Sequence, residues 1–353
     1  MIPFLDNIKK HKEQNLPFVV YRKPNSDEVK ALLQENDNVF QVNDFTEVGF
    51  VFTSFDGEQK ILIPADQSVK ESVVWIKDAI VVSQNEFKSP DQSVQKEFET
   101  LVSKGIQAIQ NQEFKKVVVS RRETVEIEQL DIFVVFSALL NRYPTAFVYL
   151  FSHPKVGIWL GATPEKLLYS KGVVFNTIAL AGTQKDLGFD EIVWEQKEIE
   201  EQEFVTDYIV ENLQTVASQV VVSESYSVKA GGVWHIKTDI SGVFNLDAGL
   251  REGVELLHPT PAVCGYPKES SKAFIFENEN YDRGFYTGYL GELNEESVSD
   301  LYVNLRCMQI EQNSTTSKIK AYLYMGCGIT KDSIAEKEWS ESVNKAITMK
   351  KVL

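Results

Sequence analysis

The stretch that decides the fold runs from Leu301 to Gly328, LYVNLRCMQIEQNSTTSKIKAYLYMGCG. Leu301–Glu311 and Lys318–Met325 are rich in aliphatic and aromatic residues that suit a pleated, half-buried surface. Gln312–Ser317, between them, is polar and small, the composition of a turn. The pair reads as an antiparallel hairpin, with each flank a single strand. Similar runs lie upstream at Val48–Phe55, Lys60–Ile63, Val117–Ser120, Ala146–Phe151, Gly157–Leu160, Val173–Ala181, Trp234–Phe244 and Tyr286–Leu293. Gly157–Leu168 and Gly172–Ala181 form a candidate second hairpin. Between the strands lie segments with apolar residues at helical spacing: Ser93–Gln112, Asp131–Arg142, Asp190–Gln219 and Ser333–Val352. Many strands with helices grouped among them predict an α+β sandwich rather than a regular parallel α/β fold. No period of 20–50 residues recurs, which argues against a solenoid. Residues 83–93 are the most loop-like and the one candidate linker.

The chain has 353 residues, 36 Lys+Arg against 51 Asp+Glu, and a net charge of −15. That balance argues against nucleic acid as a partner, because phosphate tracking needs a basic face. The densest basic patches, Lys9, Lys10, Lys12 and Lys115, Lys116, Arg121, Arg122, are short. No apolar run reaches the ~20 residues of a membrane helix, and Met1–Lys12 lacks a signal-peptide pattern. Cys264, Cys307 and Cys327 are too few and scattered for a disulfide framework. These readings predict a cytoplasmic protein without membrane contact.

Motif by motif, the chemistry is ambiguous. Gly326-Cys327-Gly328 lacks the third glycine of a dinucleotide fingerprint and reads as a backbone turn whose amides approach an anion. Ala181-Gly182-Thr183 reads the same way. Glu198 and Glu201 share one helix face, as do Glu338 and Glu341, with Lys345 one turn beyond. Two such faces suit a hard divalent cation such as Mg²⁺. On spacing alone, two solvated faces with a Glu341–Lys345 ion pair explain the pattern better. Thr163-Pro164-Glu165-Lys166 puts a carboxylate just after a strand. Lys116 opens an apolar strand, where lysine is usually a solvated edge residue, although a buried lysine can serve as a base.

Seven segments taken together resemble one family. They are Phe114–Arg121 (FKKVVVSR), Gly161–Leu167 (GATPEKL), Ala179–Thr183 (ALAGT), Lys197–Val205 (KEIEEQEFV), Leu257–Pro267 (LHPTPAVCGYP), Arg283–Gly291 (RGFYTGYLG), and Gly326–Ile329 followed by Glu338–Lys345 (GCGI, EWSESVNK). In matching order they resemble the chorismate-utilising enzymes: isochorismate synthases, salicylate synthases and the large chains of anthranilate and aminodeoxychorismate synthases. The resemblance covers residues 95–353, and residues 1–90 match loosely. It implies a single domain over 1–353, two mainly antiparallel sheets packed as a sandwich with helices outside.

The resemblance also implies roles. Lys116 matches the base that activates water, and Glu165 the acid that protonates the departing ring hydroxyl. Such chemistry requires a neutral lysine and a protonated glutamate near neutral pH. Glu201 and Glu341 match Mg²⁺ ligands, with Glu198 and Glu338 beside them. Arg306, Lys345, Gly326, Gly182 and Thr183 match contacts to chorismate, and His235, Ala262 and Tyr286 match pocket-wall positions. Lys116, where ammonia-using relatives carry another residue, and Ala181, where aminodeoxychorismate synthases carry lysine, favour the isochorismate branch. That branch implies a Mg²⁺-dependent isomerase feeding menaquinone or a siderophore, monomeric and without a glutaminase subunit. Salicylate synthase and an inactive chorismate binder are the alternatives. Gln202 replaces the family's histidine after the metal-helix glutamate.

Overall fold

The hairpin forms, but its first arm belongs to two sheets. In the computed structural model, residues 2–77, 87, 91–186, 188, 191–230, 233–245, 248–312 and 318–353 are described. The chain begins with α1 (Ile2–Glu13), β1 (Phe18–Arg22), β2 (Glu28–Gln34), β3 (Phe40–Gln41), β4 (Gly49–Thr53), β5 (Lys60–Pro64) and β6 (Ser68–Val74). It continues through α2 (Gln92–Gln110), β7 (Lys116–Ile127), α3 (Ile132–Arg142), β8 (Phe147–His153), β9 (Gly157–Thr163), β10 (Lys166–Lys171) and β11 (Val174–Lys185). Then come α4 (Gln196–Gln214), β12 (Ala217–Val222), β13 (Tyr226–Ala230), β14 (Val233–Phe244), α5 (Leu250–Leu257), β15 (Gly265–Tyr266) and α6 (Lys268–Asn278). The last elements are β16 (Tyr289–Glu295), β17 (Val298–Val303), β18 (Cys307–Gln312), β19 (Ile319–Ile329) and α7 (Ala335–Lys350).

Among the described residues, one sheet has the order β15-β7-β19-β18-β9-β8-β1-β2-β6. The other runs β12-β14-β11-β10-β17-β16-β4-β5-β3, with β13 also on β14. The paired strands are antiparallel throughout, for example Met308 opposite Leu323 and Ala179 opposite Thr238. The first 75 residues supply strands to both sheets. An aromatic layer fills the space between them, with Phe52 4.6 Å from Phe151 and Phe147 4.4 Å from Tyr302 between ring centroids. The strand period of two explains the layering. Phe147, Tyr149 and Phe151 of β8 face the other sheet, while Val148 and Leu150 face a second core shared with α3. Helices α4 and α5 cover the outer face of the second sheet. This is the two-sheet α+β sandwich that the sequence predicts.

Several expectations need correction. Leu301–Glu311 is not one strand. β17 lies in the second sheet and β18 in the first, and the chain crosses at Asn304–Arg306, where Arg306 adopts a left-handed φ of 46°. Gly157–Leu168 divides the same way, with β9 in the first sheet and only β10 paired to β11. Apolar composition says that a run is buried but not against which sheet. Asp190–Gln219 is too long: α4 ends at Gln214 and the β-branched run Val220–Val222 joins an edge strand. Gly326-Cys327-Gly328 is not a turn but part of β19, paired to β7 through Ser120, Val119 and Val118. Ala181-Gly182-Thr183 is likewise inside a strand, at a bulge where Gly182 takes a φ of 66°. Most of 83–93, and the turn residues 313–317, lie outside the described residues. No helix among the described residues is long and apolar enough to cross a membrane.

Candidate active site

Both sheet crossings deliver a polar side chain to the same place. The segment between β9 and β10 carries Glu165, and the segment between β17 and β18 carries Arg306. They are tied together. Thr163 Oγ1 donates to Val303 O at 2.6 Å, Val303 N to Glu165 O at 2.9 Å, and Ala162 N to Arg306 O at 3.1 Å. Irregular backbone inside a core must find such partners. Burial pushes the Glu165 carboxyl up to about 7, against the pull of the cations Lys116, Arg306 and Lys345. A carboxyl so poised is half protonated at neutral pH, as a general acid requires.

Lys116 opens β7 and is 1% exposed, so it is not the solvated edge residue that its position suggests. Its Nζ donates to Glu201 Oε1 at 2.9 Å, joining residues 85 apart in the chain. The pair lies over Gly328, where an added β-carbon would stand 3.2 Å from Lys116 Cε and 3.3 Å from Glu201 Oε1. On the edge of β19 away from β7, β18 pairs only as far as Leu323. Lys345 of α7 reaches the strand beyond that point and donates to Gly326 O at 2.8 Å. It also pairs with Glu341 at 2.5 Å. Burial works against its charge, but the Glu341 carboxylate beside it raises the ammonium's pKa overall.

His235, on β14, faces the bulge, with Nδ1 3.0 Å from Gly182 O. Burial lowers its pKa, and Arg306 and Lys345 lower it further, so the ring is neutral and donates to that carbonyl. Tyr286 is 2% exposed and stacks on Tyr324 at 5.2 Å, and its hydroxyl is 2.9 Å from where a β-carbon on Gly326 would stand. Ala262 is half-buried in a turn where Val263 N and Cys264 N donate to Thr260 O at 3.0 and 2.9 Å. The backbone of Thr183 pairs with His235, and its side chain lies outside the described residues. Arg306, Lys116 and Lys345 thus form a local cationic field in a chain of net charge −15, which an anionic ligand needs.

The four candidate metal ligands divide into two groups. Ligand atoms of Glu338, Glu341 and Cys327 all lie within 4.8 Å of one another. Burial pushes the Cys327 thiol up, and its S–H donates to Glu338 O at 3.3 Å, so the carboxylates are the anionic donors there. Glu201 is the partner of Lys116, while Glu198 Oε2 accepts from Glu195 N at 3.1 Å and caps its own helix.

Sequence reasoning gave no role to Arg283 and Glu279, a buried ion pair with both side chains 2% exposed. Arg283 donates to Val118 O, Val263 O and Thr287 Oγ1, and Glu279 accepts from Ser120 N and Oγ. The pair therefore ties together the segments that carry Lys116, Ala262 and Tyr286. The signal available was a charged residue opening the run Arg283–Gly291. Gln202 is buried, and its amide donates to Thr206 Oγ1 at 2.8 Å and Thr238 Oγ1 at 2.7 Å, so it fastens α4 to β14 next to Glu201.

A family model described as chorismate binding enzyme matches residues 58–353. Isochorismate synthase EntC of Escherichia coli is 29% identical over 262 residues, covering 71% of this chain and 66% of that protein. Isochorismate synthase MenF of Pasteurella multocida is 27% identical over 261 residues, covering 71% and 60%. The matched region thus spans just under two thirds of these curated relatives' lengths. The structure of MenF, the menaquinone-specific isochorismate synthase from Escherichia coli, superposes with a TM-score of 0.79 at 21% identity, covering 96% of this chain and 89% of that one. With the family model matching most of the chain, Lys116 bonded to Glu201, and Lys116 and Arg306 close enough to act on the Glu165 carboxyl, the protein belongs to the chorismate-binding enzymes.

Proposed function

We propose that this chain is an isochorismate synthase. The observation that carries the reading is the placement of Lys116 and Glu165 in one cationic site, with the Glu165 carboxyl poised at about 7. The names of its relatives support the same reaction. Arg306 grips a substrate carboxylate with two parallel hydrogen bonds, and Lys345 adds charge beside it. Lys116, in the neutral form that the step requires, takes a proton from the attacking water, whose oxygen bonds to the ring carbon beside the one bearing the carboxylate. The ring double bonds shift, the bond to the 4-hydroxyl breaks, and Glu165 protonates that oxygen so that it leaves as water. Atoms balance: one water enters and one departs, and the product is an isomer of chorismate.

Glu338 and Glu341, whose ligand atoms lie within 4.8 Å of each other, fit Mg²⁺ by donor type, since hard cations take carboxylate oxygens. Glu201 would complete the set, with Glu198 and Glu338 in supporting places. When bound, the ion supplies positive charge to the ring carboxylate. On this reading the chain acts as one chorismate-binding domain over residues 1–353, as a cytoplasmic monomer with no glutaminase subunit. Its product would feed menaquinone or siderophore synthesis. The test is incubation with chorismate and Mg²⁺, with and without ammonia, and separation of products with mass detection. A new compound of unchanged mass, requiring Mg²⁺ and indifferent to ammonia, supports the reading. Salicylate with pyruvate, or no turnover, overturns it.

A further inference from the structure

Asn304 sits at the crossing between β17 and β18, is wholly buried, and has every polar group partnered. Its Oδ1 accepts from the Tyr149 hydroxyl at 2.6 Å, and its Nδ2 donates to Phe285 O at 2.8 Å. Its backbone N donates to Gly288 O at 2.8 Å and its carbonyl accepts from Thr287 N at 2.9 Å. One residue thus holds the segment 285–288, which carries Tyr286, against the segment that turns through the left-handed Arg306.

Tyr149 reaches it from β8 because Gly161 lies beneath the ring. A β-carbon at Gly161 would stand 2.7 Å from Tyr149 Cε1 and 3.2 Å from Arg306 O. Burial keeps the phenol protonated, so it remains a donor. A buried amide with a lost partner bears its desolvation cost in full, and a shift of Asn304 to recover one displaces the segments that carry Arg306 and Tyr286, to which it is bonded or joined.

We propose that Asn304, held by Tyr149 through the space left at Gly161, is a positioning residue that sets Arg306 and Tyr286 for substrate. The proposal rests on the reading of Arg306 as a carboxylate grip. Arg306 holds the substrate before and during reaction, so misplacing it weakens uniform binding and shows in KM rather than kcat. Tyr149→Phe keeps the ring and removes only the hydroxyl, so KM for chorismate rises about tenfold with kcat within about twofold. Gly161→Ala, which pushes the ring aside, raises KM in the same direction. In an Arg306→Lys background, where no two-point grip exists, Tyr149→Phe raises KM by less than it does in the wild type, because the share of its effect that passes through Arg306 is already lost. An active wild type with unchanged KM in both variants, even at a lowered Tm, overturns the proposal alone. So does a KM penalty that persists in full on Arg306→Lys. A wild type inert toward chorismate overturns the functional reading and this proposal with it.

Discussion

Glu165→Gln should abolish turnover and yet stabilise the protein above neutral pH. The Glu165 carboxyl, ordinarily at 4.5, is pushed up to about 7 by burial, although three cations pull the other way. Below pH 4.5 both the folded and the unfolded chain hold its proton, and the shift costs nothing. Between 4.5 and 7 the folded state keeps a proton that the unfolded state releases, so stability falls as pH rises. Above 7 the charged form is buried at a cost of about 3 kcal/mol. Glutamine has nearly the same shape and carries no charge, so it is free of that cost. The assay is urea unfolding of wild type and variant at intervals from pH 4.5 to 8.5. The stability gap should open from near zero to about 3 kcal/mol in favour of the variant by pH 8, provided that the amide finds hydrogen-bond partners as good as the carboxyl's. Two curves that stay parallel, or a wild type that gains on the variant as pH rises, would refute the buried-acid argument. Activity supplies the second arm. As the acid must be protonated, the wild-type rate should fall as pH climbs through 7.

Lys116→Met should fold, since a side chain of similar length takes the lysine's place, but should add no water; measurable isomerisation in that variant would remove the base assignment. Glu341→Gln should lose Mg²⁺ binding by calorimetry as well as Mg²⁺-dependent turnover, with full metal affinity as the contrary result. Glu279→Gln leaves the buried Arg283 guanidinium without its counter-charge and should cost about 3–5 kcal/mol in urea unfolding; a loss under 1 kcal/mol would show that the carbonyls around Arg283 suffice. Gln202→Leu breaks the link from α4 to Thr238 and should lower stability by about 1–3 kcal/mol, read as a shifted urea midpoint at unchanged slope.

Local chemistry carried much of the way. The β18–β19 hairpin and the helices α2, α3 and α7 follow from composition and period that act within a few residues. The ordered motifs pointed to the family and to Lys116, Glu165 and Arg306. What the sequence could not decide is which sheet each buried run joins. Leu301–Glu311 and Gly157–Leu168 read as continuous strands, because burial on either side of the aromatic layer asks for the same residues. Only packing fixes the change of sheet, and that change brings Glu165 and Arg306 to one point. Nor does spacing distinguish a solvated acidic face from one paired with a buried lysine. Lys116 and Glu201 are 85 residues apart, and their contact exists only because β7 and α4 close on the same strand. Tyr149 and Asn304 are 155 apart and meet only where Gly161 leaves room. Residue types and their local order were therefore enough to name the family, while the pairings within the candidate site came from long-range packing, which no local pattern encodes.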